Sequence, residues 1–147
     1  MKQVDFYLIS NRVNNARYKL ASRLCNKLQR QKQSSLVVTD DPQATAELDQ
    51  VMWSFSDTSF LAHDNFNNIE AGALVHIGDH NSVSPKILEQ QYDVLINLSS
   101  GIPIFNHHFA RIAEIVNADD ESKSAARIRY KSYQGEGFEL KMHTIEL

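Results

Sequence analysis

Phe6-Tyr7-Leu8-Ile9-Ser10-Asn11, followed from Asn14 to Gln33 by a run in which Ala16, Leu20, Leu24 and Leu28 recur every fourth residue, decides the fold. The first four residues are aromatic and aliphatic and stop at a polar turn, the pattern of a buried strand. The repeat after it, with Lys19, Arg23, Lys27 and Arg30 between the apolar positions, describes an amphipathic helix that covers a sheet along one stripe.

Working outward, the same unit returns. Leu36-Val37-Val38-Thr39 is a β-branched strand, and Asp40-Asp41-Pro42 brings carboxylates to the positive end of a helix and a proline to its first turn. The helix runs through Ala44, Leu48, Val51 and Met52 to Trp53, Ser56-Asp57-Thr58-Ser59 breaks it, and Phe60-Leu61 reads as a brief strand. Leu74-Val75-His76-Ile77 and Val94-Leu95-Ile96-Asn97-Leu98 are further buried strands, with one short helix expected near Ser84-Pro85. A short helix from Phe105 to Phe109 leads to a strand at Ile112 to Val116. The last helix begins near Asp119-Asp120-Glu121 and is expected to end before Gly135 and Gly137, and Phe138 to Met142 alternates as a half-exposed strand. This alternation predicts an α/β fold: one Rossmann-like domain over residues 1–147, with a mainly parallel sheet flanked by helices.

Composition sets limits on function. The chain has 147 residues, 42% hydrophobic and 22% charged, as in ordinary globular proteins, and a formal charge of -3. That balance argues against a surface that grips nucleic acid throughout, since phosphate binding needs a broad excess of Lys and Arg. Met1-Lys2-Gln3-Val4-Asp5 lacks the layout of a secretory leader, and no apolar run approaches the roughly 18 residues of a membrane span. A lone Cys25 inside a helical pattern reads as a buried, inert thiol, which suits a cytoplasmic protein.

An α/β order invites a nucleotide, yet the five glycines, at 72, 78, 101, 135 and 137, form neither a G-x-G-x-x-G fingerprint nor a G-x-x-x-x-G-K-[ST] loop. The turn after the first strand, Ser10-Asn11-Arg12, has no glycine at all. The six histidines lie without a partnered Cys or an H-E-x-x-H motif, and read as surface or satisfied core residues. Asp40-Asp41 is explained by helix capping rather than as paired acids. No cofactor and no catalytic residue is therefore expected. The remaining enzyme reading is a small nucleotide- or phosphometabolite-using enzyme with an unusual anion site.

Two clusters stand out. Between Ser122 and Gln134 lie Lys123, Arg127, Arg129 and Lys131 and no carboxylate; on a helix Lys123, Arg127 and Lys131 line one face, with Tyr130 beside them. Such a row is either a solvated face that also complements the helix dipole or a seat for an anionic partner. Trp53, Phe55, Phe60 and Leu61 form the second cluster, which is either core or a partner anchor.

Phe6-Tyr7-Leu8, Gln43-Ala44, Leu48-Asp49, Trp53, and Ser59-Phe60 with His63 occur in the order and spacing of a known family. So do Ala126-Arg127, Arg129-Tyr130-Lys131, Tyr133, and Gly137-Phe138 with Leu140. In these residues the chain resembles the chi subunit of bacterial DNA polymerase III. It departs from the pattern at Ala62, where many members have proline, and at Gln33-Ser34-Ser35, which replaces a glycine-containing turn. The resemblance implies a non-catalytic accessory subunit that touches DNA mainly through partners. It implies two of these: the psi subunit of the clamp-loader complex, for which a repair helicase substitutes in some members, and the acidic C-terminal tail of single-stranded DNA-binding protein, which ends in Pro-Phe. On this resemblance Lys123, Arg127 and Lys131 would meet the tail's carboxylates, Tyr130 and Phe138 would border its phenylalanine pocket, and Trp53 and Phe60 would dock psi.

Overall fold

A computed structural model describes residues 2–54 and 73–147, together with the backbone of residues 63–65. Seven strands form one sheet: β1 (Gln3–Ile9), β2 (Ser35–Thr39), β3 (His63–Asn65), β4 (Val75–Asp79), β5 (Val94–Asn97), β6 (Arg111–Val116) and β7 (Glu139–Ile145). Their order across the sheet is β3-β4-β2-β5-β6-β1-β7, and every described pairing is parallel. Parallel neighbours need crossovers, and these carry the helices α1 (Ala16–Arg30), α2 (Pro42–Trp53), α3 (Pro85–Leu88) and α4 (Asp120–Gly135). The fold is thus the Rossmann-like α/β arrangement expected from the order of elements.

Side chains alternate across each strand, so the sheet feeds two separate cores. Leu20, Cys25 and Leu28 of α1 and Leu48 and Met52 of α2 pack on Ile9, Val37, Ile77, Ile96 and Ile115. On the opposite face Ile87 of α3 and Ala126 and Tyr133 of α4 pack on Val4, Phe6, Val38, Leu95 and Ile112. Both faces of the central strands are covered, which is why those strands are continuous apolar runs.

Caps fix the helix boundaries. The Asp41 carboxylate accepts from Ala44 N at 2.8 Å, with Pro42 opening α2, and Asp119 accepts from Ser122 N at 2.9 Å to open α4. α4 runs through Gly135, one turn position further than expected, and stops where Gly137 adopts φ 89. At the end of α1, Lys32 N bonds Gln29 O at 3.0 Å and Gln33 N bonds Leu28 O at 2.9 Å. Lys32 itself takes the left-handed φ of 59 that a glycine would hold more easily.

The expected short helix after Pro103 is a single 3₁₀ turn, Asn106–His108. Phe60-Leu61, the expected third strand, lies outside the described residues. The strand that pairs with β4 is instead His63-Asp64-Asn65, a polar triplet without an apolar signature.

Candidate functional site

Helix α4 lies over β6, β1 and β7, and its sequence divides into stripes. Ala126, Arg129 and Tyr133 face the sheet and are buried, while Lys123, Arg127 and Lys131 are exposed along the flank. Arg129, one of the four cations between Ser122 and Gln134, therefore stands apart from the exposed row of Lys123, Arg127 and Lys131, as helical spacing predicts. Its Nε donates to Glu114 Oε1 at 3.0 Å, and Glu114 also accepts from Asn97 Nδ2 at 2.8 Å and from the Tyr133 hydroxyl at 2.7 Å. Burial raises the Glu114 pKa; the Arg129 charge and the hydrogen bonds from Asn97 and Tyr133 pull partly against that rise. This network fixes how α4 is rotated on the sheet, and hence which residues its flank presents.

Beside that flank is an apolar groove of about 250 Å³. Phe6 and Leu8 of β1 and Met142 of β7 form its floor, Ala126 and Tyr130 its wall, and Lys123 and Arg127 stand at its rim. The Tyr130 ring packs on Phe6 with centroids 5.5 Å apart, so the wall is anchored to the floor. An apolar slot next to two cations can accept a hydrophobic side chain and its neighbouring carboxylates together, which neither half does alone.

The structure brings Lys123, Arg127 and Tyr130 to this groove. Lys131, one turn further along α4, is exposed on the same flank without lining it. Phe138 is 7% exposed and packs edge-on against Tyr133 at 5.4 Å, behind the site rather than at its lining. Trp53 ends α2 with 58% of its surface exposed, whereas Phe60 lies outside the described residues. Met142, which the sequence reading missed, is the floor residue contributed by β7, where the observed register sets it opposite Phe6; nothing in the sequence alone marked it.

A second crevice, of about 520 Å³, opens beyond the C-terminal ends of β1 and β6, whose following helices lie on opposite faces. Doubly wound folds commonly hold ligands at such a reversal. Here Asn11, Arg12, Asn14, Asn15 and Asn117 supply side chains where a phosphate loop would present bare glycine backbone. Among the described residues no group of three or more His, Cys, Asp or Glu side chains converges to hold a metal, and no helix is long and apolar enough to cross a membrane.

The sequence profile of the family described as DNA polymerase III chi subunit, HolC, matches residues 1–141. The chain is 31% identical over 146 residues to the DNA polymerase III subunit chi of Pseudomonas aeruginosa, covering 99% of this chain and 98% of that one. It is 26% identical to the subunit chi of Haemophilus influenzae, over 98% of each chain. The subunit chi of Escherichia coli is 28% identical, over 98% of this chain and 99% of its own.

Proposed function

Because the chain belongs to the DNA polymerase III chi-subunit family, we propose that it works as a non-catalytic, cytoplasmic adaptor of one domain. One partner is the psi subunit; the other is the acidic C-terminal tail of single-stranded DNA-binding protein. The observation that carries the tail assignment is the groove whose apolar floor of Phe6, Leu8 and Met142 meets Lys123 and Arg127 at its rim. A chain end with an aromatic side chain and a free carboxylate matches both halves, with Arg127 offering a planar fork to the carboxylate and Lys131 extending the positive row toward upstream acidic residues. Phe138 supports the site from behind through Tyr133.

The test is binding of an acidic peptide ending in Asp-Ile-Pro-Phe to the native protein and to Arg127→Ala at two salt concentrations. Loss of a charge-assisted pair is expected to weaken binding about tenfold to a hundredfold, and added salt to weaken the native complex further. A native protein that leaves this peptide unbound would overturn the tail reading.

For psi, the supporting observation is the exposure of Trp53 at the end of α2, a large apolar surface of the kind that anchors protein interfaces. Trp53→Ala is expected to abolish co-elution with psi on gel filtration while leaving the far-ultraviolet spectrum unchanged; a variant that still co-elutes refutes the assignment.

A further inference from the structure

β7 is the last strand of the sheet, and among the described residues nothing pairs with its outer edge. Glu139 N bonds Lys2 O at 2.9 Å and Ser10 N bonds Ile145 O at 2.8 Å, so the odd-numbered residues of β7 turn their amides and carbonyls inward to β1. In a strand both backbone groups of a residue point the same way and neighbours alternate. Leu140, Met142 and Thr144 therefore aim theirs outward. Side chains of this even-numbered set lie on the α4 face: Leu140 packs against the α4-side core and Met142 floors the groove. The odd-numbered set goes to the other face, where His143 Nε2 pairs with Asp5 Oδ1 at 2.8 Å.

The open backbone edge and the cation-rimmed groove are thus adjoining parts of one surface. Lys123 to Lys131 spans about 12 Å of helix, and Leu140 to Thr144 spans about 13 Å of strand. A strand added to β7 would lie about 4.8 Å beyond it, with every second side chain on the face where Met142 and Arg127 stand. The three exposed cations in that row favour an acidic chain in the extended position and disfavour a basic one.

We infer that β7 takes up the acidic tail peptide as an eighth strand, the backbone groups of Leu140, Met142 and Thr144 bonding the extended chain while the groove receives its apolar end. This rests on the tail reading and adds a binding mode to it: main-chain pairing supplies contact along the peptide, and the groove and cations set its identity.

Amide hydrogen exchange of the full chain, with and without the acidic peptide ending in Asp-Ile-Pro-Phe, tests the inference. Exchange at Met142 and Thr144 is expected to slow at least about tenfold on binding, while Lys141 and His143, already bonded to β1, change little. Thr144→Pro removes one outward amide without touching the groove lining and should weaken the peptide about fivefold, whereas Thr144→Val, which keeps the amide, should not. Peptide that binds, is lost with Arg127→Ala, and leaves the outward amides unprotected would overturn edge pairing and leave the tail site standing. Peptide that does not bind overturns both. Protection that appears without peptide and grows with protein concentration would assign the edge to a second copy of this chain and likewise overturn the inference.

Discussion

Arg129 Nε sits 3.0 Å from Glu114 Oε1 between α4 and β6, with 9% and 0% of the two side chains accessible. The pair is completed by Asn97 and Tyr133, and Arg129 Nη1 reaches Ser100 O at 3.4 Å. A charge pair in this position costs desolvation that its attraction only partly returns, so its value lies in fixing one setting of the helix.

Removing one member should therefore be far worse than removing both. Arg129→Ala leaves the Glu114 carboxylate buried without its cation and is expected to cost about 3 kcal/mol or more, whereas Arg129→Met with Glu114→Leu should recover most of that loss. Urea denaturation of Arg129→Met, of Glu114→Leu and of the variant carrying both measures the coupling directly. Additive losses would show that the pair does not act as a unit.

Lys32 holds φ 59 at the end of α1, a conformation that places its Cβ against the following carbonyl. Lys32→Gly is expected to stabilise the protein by about 1 kcal/mol, since the position already closes the helix through Lys32 N and Gln33 N. A shift of the urea midpoint to higher concentration with an unchanged slope checks this; a fall in the midpoint would show that the lost helix-end cation matters more than the backbone.

Burial pushes Asp5 upward, but hydrogen bonds from His143 and Gln3 and the charge of Arg111 outweigh it, leaving the Asp5 pKa below its usual value. A carboxylate lowered in the folded state stabilises the fold fully above its unfolded pKa, and the contribution disappears as pH falls through the folded value. Stability should thus decline below about pH 4, and Asp5→Asn should flatten that decline. Thermal melts of both proteins from neutral to acid pH supply the comparison, with parallel curves counting against the role of Asp5.

The Cys25 thiol is fully buried and its pKa is pushed up to about 12 by that burial, slightly offset by a contact from Ser35. An aromatic disulfide reagent should leave it unmodified in the native protein and titrate one thiol in denaturant. Rapid native labelling would place Cys25 outside the core.

Much of this architecture was readable from the chain. Val37, Ile96 and Ile115 sit in apolar runs that only a sheet covered on both faces produces, and Asp41 and Asp119 mark helix starts because a short carboxylate there has one obvious use. Arg129 was counted only as part of the local basic segment, and its burial was not foreseen although it stands three residues after Ala126 and four before Tyr133, inside the apolar stripe. Glu114, set in Ile112-Ala113-Glu114-Ile115-Val116, was the missing clue, since a carboxylate in a buried strand requires a buried donor. β3 escaped notice because His63-Asp64-Asn65 has no apolar pattern, and its pairing with β4 is decided by the sheet. Of the candidate site, helical spacing set Lys123 and Arg127 on one face with Tyr130 beside them, and their assignment to a binding site rested on the family resemblance. Met142 was not legible, because only strand register places it beneath α4.

The two cores of this sheet have no buried residue in common. Trp53 belongs to the layer of α1 and α2, and the cationic flank to the layer of α4 on the reverse side. On the proposed reading, two partners held on opposite faces of the sheet would share no side chains, and their binding free energies would add independently. In a thermodynamic square of four states, opposite edges would then have equal length, and the protein would behave as a spacer that joins two ligands without letting either sense the other.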